Sequence, residues 1–212
     1  HVGNLDARHA LDRTIPGHDP ALRIIANAFR QIQHGVQREY LALQIGHRTS
    51  VDLDLFGSIN TDELAISQSI NKIGNSTILK KSPNIFIYKI NNIKVDFVNY
   101  PFKWLDPLIF EDEIRLAGKK DIAAMKLSAI TGRGSKKDFI DLFYLLRAFS
   151  LSEMLDFYRL KFPDASEFLV LKSLIYFGDC ERDETPRIFE GFSWPEIKRE
   201  LEATINEFLK NY

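Results

Sequence analysis

The sequence predicts an α+β fold, in which a mixed β-sheet core flanked by helices is followed by a C-terminal helical region. Two observations lead to this prediction. Apolar and polar residues alternate in several stretches of the first half of the chain, whereas apolar residues recur at helical spacing through the second half. Strands early in a chain and helices late in it favour an α+β layout over a regular alternation of strands and helices.

Composition narrows the class of protein. The 212 residues are 45% hydrophobic, enough for a substantial core, and carry 28 basic and 29 acidic side chains. The net charge of −1 argues against a protein coated in positive charge, although it leaves room for a local basic groove. The single cysteine, Cys180, excludes an internal disulfide framework and suits a reducing compartment. No apolar run approaches the roughly 18 residues of a membrane span, and no signal pattern opens the chain. We therefore expect a cytoplasmic protein without a membrane partner.

The first part of the chain predicts helices. Residues 1–19 are polar and have no sustained period, whereas residues 20–33 have the apolar spacing of an amphipathic helix. A second short helix is expected just before Gly46, a residue that commonly closes a helix. The predicted organisation has three parts: a divergent, partly helical segment at 1–39, an α/β core at 40–115 and a helical region at 116–212.

A change of period at residue 51 predicts the sheet. Residues 51–55 alternate strictly, with three apolar side chains on one face and two carboxylates on the other. Residues 84–90 and 93–98 predict a hairpin, because Asn91 and Asn92 between them tolerate the positive φ angles of a two-residue turn. Residues 77–82 are a candidate for another strand.

The remaining elements are predicted to be helical. A helix is expected over 61–73, and the chain after Pro101 is expected to be helical to its end, with helices at 119–131, 136–149, 151–161, 164–177 and 195–210. The many aromatic residues after residue 150 are expected to be core. The acidic stretch 179–185 is expected to be a solvated connection.

Asp52 and Asp54 are the sharpest chemical feature. Side chains two apart on a strand share a face, so the two carboxylates repel each other unless a cation lies between them. Magnesium is the oxygen-seeking cation that such pairs commonly hold. Asp96 can present a third carboxylate if the strand at 93–98 lies beside the strand at 51–55. The alternatives are a surface strand with an acidic outer face and, for Asp96, an isolated polar residue on an edge strand.

Three ordered blocks resemble the AbiEii/AbiGii toxin-type nucleotidyltransferases, members of the DNA polymerase β-like superfamily. The first block resembles the family's metal-binding region and is Leu41-Ala-Leu-Gln-Ile-Gly-His-Arg-Thr-Ser-Val-Asp-Leu-Asp-Leu-Phe56. The second resembles the strand that carries the third acid and is Ile93-Lys-Val-Asp-Phe-Val-Asn-Tyr-Pro101. The third, over residues 121–142, resembles the family's helical motif.

The resemblance implies roles for individual residues. Asp52, Asp54 and Asp96 are implied as ligands of Mg²⁺ (or of Mn²⁺), and Asp96 also as the base. Lys126 and Asp141 are implied as catalytic residues that contact or position the nucleotide. Nucleotide-binding candidates are Arg48, whose guanidinium suits phosphate oxygens, Ser50 and Lys126.

Structural alternatives stand beside these roles. Lys126 can extend its amine to solvent from an apolar helix, and Asp141 can simply pair with a lysine. Asp138 can form a capping box with Ser135. His47 is expected to be a turn or core residue rather than a metal ligand. Three basic residues could touch nucleic acid or lie in a solvated loop: Arg133, Lys136 and Lys137.

One departure from the family pattern lies before residue 40. The family has a glycine-containing turn there, whose backbone N–H groups approach a triphosphate. The aligned positions of this chain are Gln37, Arg38 and Glu39, and Gly35 is out of register.

The resemblance implies a magnesium-dependent nucleotidyltransferase. Such an enzyme moves a nucleotide monophosphate from a nucleoside triphosphate to a hydroxyl of RNA (tRNA among the candidates), of a protein or of a small molecule. The alternative, which the missing glycine turn motivates, is a catalytically weakened relative that binds nucleotide, nucleic acid or protein. Both are compatible with a bacterial toxin–antitoxin or phage-defence component whose partner is a cognate antitoxin protein.

Overall fold

A computed structural model describes residues 37–38, 46–50, 52–57, 63–111 and 114–212. The helices predicted over 20–33 and just before Gly46 lie outside these described residues. The described chain forms two compact units. The sheet unit contains the described residues of His1–Gln44, Ser50–Phe102 and Leu108–Ala117, and the helical unit those of Ile45–Thr49, Lys103–Pro107 and Gly118–Tyr212. The α+β fold class is confirmed, while the division into 1–39, 40–115 and 116–212 stays a prediction.

Seven strands of the described residues form the sheet of this unit. In chain order, β1 to β7 are Gln37–Arg38, Leu53–Gly57, Ser76–Ser82, Ile85–Ile90, Ile93–Asn99, Ile109–Glu111 and Ile114–Leu116. Their order in the sheet is β3-β4-β5-β2-β1-β7-β6. β2 runs parallel to β5 and β1 parallel to β7, and the other neighbours are antiparallel, so the sheet is mixed.

The expectation that the chain is helical after Pro101 is wrong at β6 and β7. Each of these strands has three residues, too few for a two-residue period to appear in the sequence. The two described residues of β1 carry no pattern of their own. The longer strands β2 to β5 overlap the stretches predicted as strands, 51–55, 77–82, 84–90 and 93–98.

One face of the sheet forms the core of this unit. Leu53 and Leu55 of β2 are buried, as are Val95 and Phe97 of β5, because alternate residues of a strand face the same side. Helix α1, Glu63–Asn71, contributes Ile66 and Ile70 to the same core. Complete burial of an apolar side chain of this size stabilises a fold by roughly 1.5–3 kcal/mol. The opposite face carries polar side chains of β2, β4 and β5, among them Asp54, Lys89 and Asp96.

The backbone is irregular at two places in this part of the sheet, the turn of the β4–β5 hairpin and a bulge on the edge strand β3. Asn91 and Asn92 have φ angles of 48° and 70°, so the two-residue turn predicted from their side chains is confirmed. On β3 the register shifts between Ile78 and Lys80, which leaves Leu79 as the extra residue of a bulge. A bulge and lysines on an edge strand hinder pairing with another chain.

The helical unit contains helices α2 to α6, which are Lys119–Gly132, Lys136–Leu145, Leu151–Lys161, Glu167–Leu174 and Trp194–Asn211. Helix α2 is at the centre of the unit. It packs against α3, α4 and α5, and α3 in turn packs against α6. Capping boxes begin α4 at Ser150 with Glu153 and α6 at Ser193 with Glu196. No helix of the described ranges is both long and apolar enough to cross a membrane.

Two expectations for this unit need correction. Among the aromatic residues expected to be core, Phe168 is 71% exposed, because only one side of the short helix α5 packs inward. Tyr176, two residues after the end of that helix, is 59% exposed. The acidic stretch 179–185 is not merely a solvated connection. It begins with a 3₁₀ helix at Asp179–Arg182, and the carboxylate of Asp183 accepts a hydrogen bond from the backbone N–H of Lys136.

The left-handed backbone at Asn92 leads to a prediction about stability. We expect Asn92→Val to lower the free energy of unfolding by about 1–2 kcal/mol, because a β-branched side chain disfavours positive φ. Asn92→Gly, which tolerates this conformation, serves as the control and should stay within about 0.5 kcal/mol of the unchanged protein. Urea denaturation followed by circular dichroism measures both, and equal stability of the two variants would contradict the prediction.

Candidate functional site

The parallel pairing of β2 with β5 brings two carboxylates together. Leu53 lies opposite Val95 and Asp54 opposite Asp96, so the apolar partners share the buried face and the carboxylates share the other. Neighbouring strands are about 4.8 Å apart, which places the two aspartates side by side. Asp52 immediately precedes β2 and is half-buried. The strand of Asp96 therefore lies beside the strand of Asp54, which is the condition under which Asp96 can join the other acids.

The sheet face that carries these acids also carries other side chains, and we call it the carboxylate face. Its members follow from strand alternation and from the register of each pair. They are Asp54 and Phe56 of β2; Lys94, Asp96 and Val98 of β5; Ile85, Ile87 and Lys89 of β4; and Thr77, Lys80 and Ser82 of β3.

Lys94 is a residue of this face that the sequence interpretation did not assign. Its Nζ lies 2.5 Å from Oδ1 of Asp96, and the side chains of Lys94 and Asp96 are 37% and 14% exposed. The two residues are separated by one position on β5, the same spacing that joins Asp52 to Asp54. The sequence could have predicted this contact, because residues two apart on a strand put the ammonium and the carboxylate on one face.

The donor set of the carboxylate face fits a magnesium ion. Magnesium prefers oxygen ligands and is usually held by one or two carboxylates, with waters and substrate phosphates as its other ligands. Asp54 and Asp96 supply two carboxylates at neighbouring positions. Within the described residues, no group of three or more His, Cys, Asp or Glu side chains is arranged to hold a metal ion. The three-residue set Asp52, Asp54 and Asp96 thus stays a prediction.

A second polar cluster lies in the helical unit, around the fully buried carboxylate of Asp141 on α3. Arg48 donates to it twice, from Nε to Oδ1 at 2.6 Å and from its second terminal nitrogen to Oδ2 at 2.8 Å. Nζ of Lys126 lies 3.0 Å from Oδ2, and Nε2 of His47 is 2.8 Å from Oδ1. A buried carboxylate needs such partners, because an unpaired charge in the interior is strongly destabilising.

Asp138, one helical turn before Asp141, extends this cluster. Its carboxylate accepts hydrogen bonds from Arg133 and from the hydroxyl of Ser135, and Nζ of Lys126 is 3.4 Å away. The expected capping box of Ser135 and Asp138 is wrong, because the Ser135 side chain caps no backbone N–H.

The charges of this cluster shift the pKa values of its members. Burial alone would raise the pKa of Asp141, but Arg48 and Lys126 hold it well below its usual value. The pKa of Asp138 is lowered to about 2, since Lys126 and Arg133 outweigh the opposing effect of burial. Burial lowers the pKa of His47, with Asp141 opposing that shift. Near pH 7 the two aspartates are therefore charged and His47 is neutral.

The other residues considered from the sequence have the following positions. Lys126 is buried, so it does not extend to solvent, and Asp141 pairs with more than a lysine. His47 is buried, as expected for a core residue. Ser50 is half-buried in the sheet unit. Lys136 is buried, with Nζ donating to the backbone oxygens of Asp183 and Glu181, so it does not form a solvated basic loop with Arg133 and Lys137.

Comparison with known proteins decides the family. Residues 40–211 match the family described as nucleotidyl transferase AbiEii toxin, type IV TA system. The chain is also 34% identical over 177 residues to the uncharacterized protein aq_aa25 of Aquifex aeolicus, a match covering 81% of this chain and 85% of the relative. The chain belongs to the AbiEii nucleotidyltransferase toxin family. The resemblance that the three sequence blocks indicated is thereby confirmed.

Solved structures support the fold of this AbiEii family member. JHP933 from Helicobacter pylori superimposes with a TM-score of 0.50 at 16% identity, over 95% of this chain and 92% of that one. MenT4, the nucleotidyltransferase toxin Rv2826c of Mycobacterium tuberculosis H37Rv, gives a TM-score of 0.50 at 14% identity, over 95% of this chain and 88% of its own. At sequence identities this low, the superpositions show a shared fold alone.

The low pKa of Asp138 leads to a prediction about acid stability. A carboxylate whose pKa is lowered by folding contributes stability that is fully present above its unfolded pKa and is lost as the pH falls through the folded one. We expect Asp138 to contribute roughly 2 kcal/mol at pH 5 and nearly nothing below pH 2.

Urea denaturation of the unchanged protein and of Asp138→Asn at several pH values between 5 and 2 measures this contribution. The difference in free energy of unfolding between the two should shrink as the pH falls. A difference that stays constant over this range would show that the charge of Asp138 does not stabilise the fold.

Proposed function

We propose that this protein transfers a nucleotide monophosphate from a nucleoside triphosphate to a hydroxyl group, with the carboxylate face as its catalytic surface. The observation that carries the proposal is the register that sets Asp54 beside Asp96 on parallel strands. Membership of the AbiEii family supports it, because the description of that family is that of a nucleotidyltransferase. Like charges at this distance are expected where a cation and a triphosphate are to be bound.

In the proposed reaction the acceptor hydroxyl attacks the α-phosphorus of the triphosphate. A new phosphorus–oxygen bond forms to the acceptor, the bond to the bridging oxygen breaks, and pyrophosphate leaves with the electron pair. Asp52, Asp54 and Asp96 would hold the metal, and Asp96 would also orient the hydroxyl and accept its proton. Bound Mg²⁺ (or Mn²⁺) neutralises charge on the triphosphate and on the leaving group.

The cluster around Asp141 has a different proposed part in the reaction. Arg48 and Lys126 both contact Asp141, so this carboxylate fixes the direction of two cations whose charge suits phosphate oxygens. We assign Asp141 as a positioning residue, and Arg48, Ser50 and Lys126 as candidates for contact with the nucleotide.

The biological setting follows from the family description. A type IV toxin–antitoxin system contains a cognate antitoxin, and we propose such a protein as the functional partner. RNA, tRNA among the candidates, is the acceptor class that we favour. A protein or small-molecule hydroxyl is the alternative.

Loss of one carboxylate tests the proposed catalytic surface. We expect Asp54→Asn and Asp96→Asn each to lower the rate of transfer at least about 100-fold, because a bound metal supplies several kcal/mol of charge stabilisation. The measurement follows label from each α-labelled nucleoside triphosphate into total tRNA, together with release of pyrophosphate, at saturating magnesium.

Asp164→Asn is the matched control, since Asp164 is an exposed aspartate of the helical unit. It should transfer label at the rate of the unchanged protein. Transfer that persists in both sheet variants would place the chemistry elsewhere in the molecule.

A catalytically weakened nucleotide-binding protein is the second candidate function. Gln37 and Arg38, which align with the family's glycine-containing turn, lie in strand β1 and pair with Phe56 and Leu55 of β2. Strand pairing engages their backbone groups, whereas the turn of the family leaves N–H groups for phosphate. This observation favours altered donor binding.

Calorimetry separates the two functions. A transferase should bind its preferred nucleoside triphosphate in the presence of magnesium, and Asp54→Asn should weaken that binding about tenfold or more, since one ligand of the metal is lost. Binding that is unaffected by Asp54→Asn, in a protein that transfers no label, would favour the second candidate.

A further inference from the structure

Charge is unevenly distributed along the chain, and the sheet unit contains the most basic part. Residues 64–95 include five lysines and no acidic residue, although the whole chain has a net charge of −1. This segment forms most of α1, the strands β3 and β4 and the start of β5. The lysines are Lys72, Lys80, Lys81, Lys89 and Lys94.

Three of these lysines lie on the carboxylate face. Lys89 of β4 is directly opposite Lys94 of β5, and Lys80 of β3 is opposite Ile87, which is itself opposite Asp96. Lys80 is therefore two strands from Asp96, a distance of about 10 Å at the usual strand spacing. Together the three residues form what we call the lysine row, which begins beside the catalytic carboxylates and crosses to the edge of the sheet.

The lysine row is not explained by the stability of the sheet. Like charges directly opposite each other on neighbouring strands are destabilising, and Lys89 faces Lys94 in this way. Lys94 is compensated by its contact with Asp96, whereas Lys80 and Lys89 are exposed and neither β3 nor β4 contains an acidic residue. Such an arrangement suits an anionic ligand that spans more than one lysine.

The apolar neighbours of the lysine row indicate what kind of anion fits. Ile85 and Ile87 are half-buried on the same face, with Ile87 directly opposite Lys80. Phe56 is on this face too, on the far side of the carboxylates from Lys89 and Lys94. The ring of Phe56 contacts that of Tyr100 at 5.2 Å between centroids, and Tyr100 contacts Phe102 at 5.1 Å. Lysines that follow a phosphate backbone beside apolar and aromatic surfaces for bases are the usual means of binding single-stranded nucleic acid.

We propose that the lysine row binds the phosphate backbone of a single-stranded nucleic-acid acceptor and directs its terminal hydroxyl to Asp54 and Asp96. The roughly 10 Å between Asp96 and Lys80 lets a single strand contact the lysine row while its end lies at the carboxylates. The inference rests on the proposed function and adds to it the surface that holds the acceptor. An acidic peptide needs the lysines but not the apolar surface beside them.

Direct binding tests this surface without any requirement for catalysis. The probe is a fluorescein-labelled single-stranded RNA of about 12 nucleotides, titrated without nucleoside triphosphate at several salt concentrations. We expect Lys80→Gln/Lys89→Gln to weaken binding roughly 25-fold at 0.1 M salt and to reduce the slope of log affinity against log salt by about 1.4, or 0.7 for each lost phosphate contact. Lys89→Gln alone should give half of that change in slope.

The matched control is Lys172→Gln/Lys210→Gln, which removes the same charge from exposed positions of α5 and α6. It should keep the affinity and the salt slope of the unchanged protein, and no variant should melt at a lower temperature than the unchanged protein. Equal loss in both double variants would mean that net charge alone is responsible and would overturn the proposal.

Two further arms distinguish other ligands of the lysine row. The affinity for nucleoside triphosphate should be unchanged in Lys80→Gln/Lys89→Gln. If this variant instead loses affinity for the triphosphate and keeps its affinity for RNA, the lysine row binds the donor and the inference is overturned. Polyglutamate should compete poorly with the RNA, and equal competition would overturn it in favour of an acidic peptide. If the protein binds no RNA in these assays but transfers nucleotide to a small hydroxyl compound, the inference is overturned and the proposed function stands.

Discussion

The parallel pairing of β2 with β5 is the constraint on which the rest of the sheet unit depends. The register that puts Leu53 beside Val95 in the core also puts Asp54 beside Asp96 on the other face. A shift by one residue would turn the carboxylates inward and the apolar residues outward, at a cost of several buried side chains. Hydrophobic burial on one face therefore fixes which carboxylates adjoin on the other, where Lys94 also contacts Asp96. A cationic ligand converts that arrangement into a binding site.

In the helical unit, by contrast, a carboxylate is fully buried and is paired with cationic side chains. Asp141 has no access to solvent and is surrounded by donors from His47, Arg48 and Lys126. Removal of one member of a buried ion pair typically costs 3–5 kcal/mol, because its partner is left uncompensated. Segments far apart in the sequence are thus joined through a single side chain. Such a cluster defines the direction of Arg48 and Lys126 more narrowly than solvent-exposed side chains would permit.

The sequence was informative where a pattern extends over several turns or strand positions. Alternation and turn chemistry are local properties, so they predicted the strands around Asp54 and Asp96 and the Asn91–Asn92 turn. The family was predictable from three ordered blocks of sequence. The strands β6 and β7 were too short to leave a period. The partners of Asp138 and Asp141 depend on long-range packing, so the capping box that the local spacing of Ser135 and Asp138 suggested was wrong. The exposure of Phe168 and Tyr176 was missed for the same reason, since helical spacing does not say which faces find a partner.

The strand β1 has a consequence for how the sheet is held together. It alone, among the described strands, joins β2 to β7, through the pairs that Gln37 and Arg38 form with Phe56, Leu55 and Leu116. Arg38 pairs with Leu55 on one side and with Leu116 on the other, so the backbone of a single residue connects two neighbouring strands. Removal of its backbone donor, as by proline, would therefore weaken two strand pairings at once.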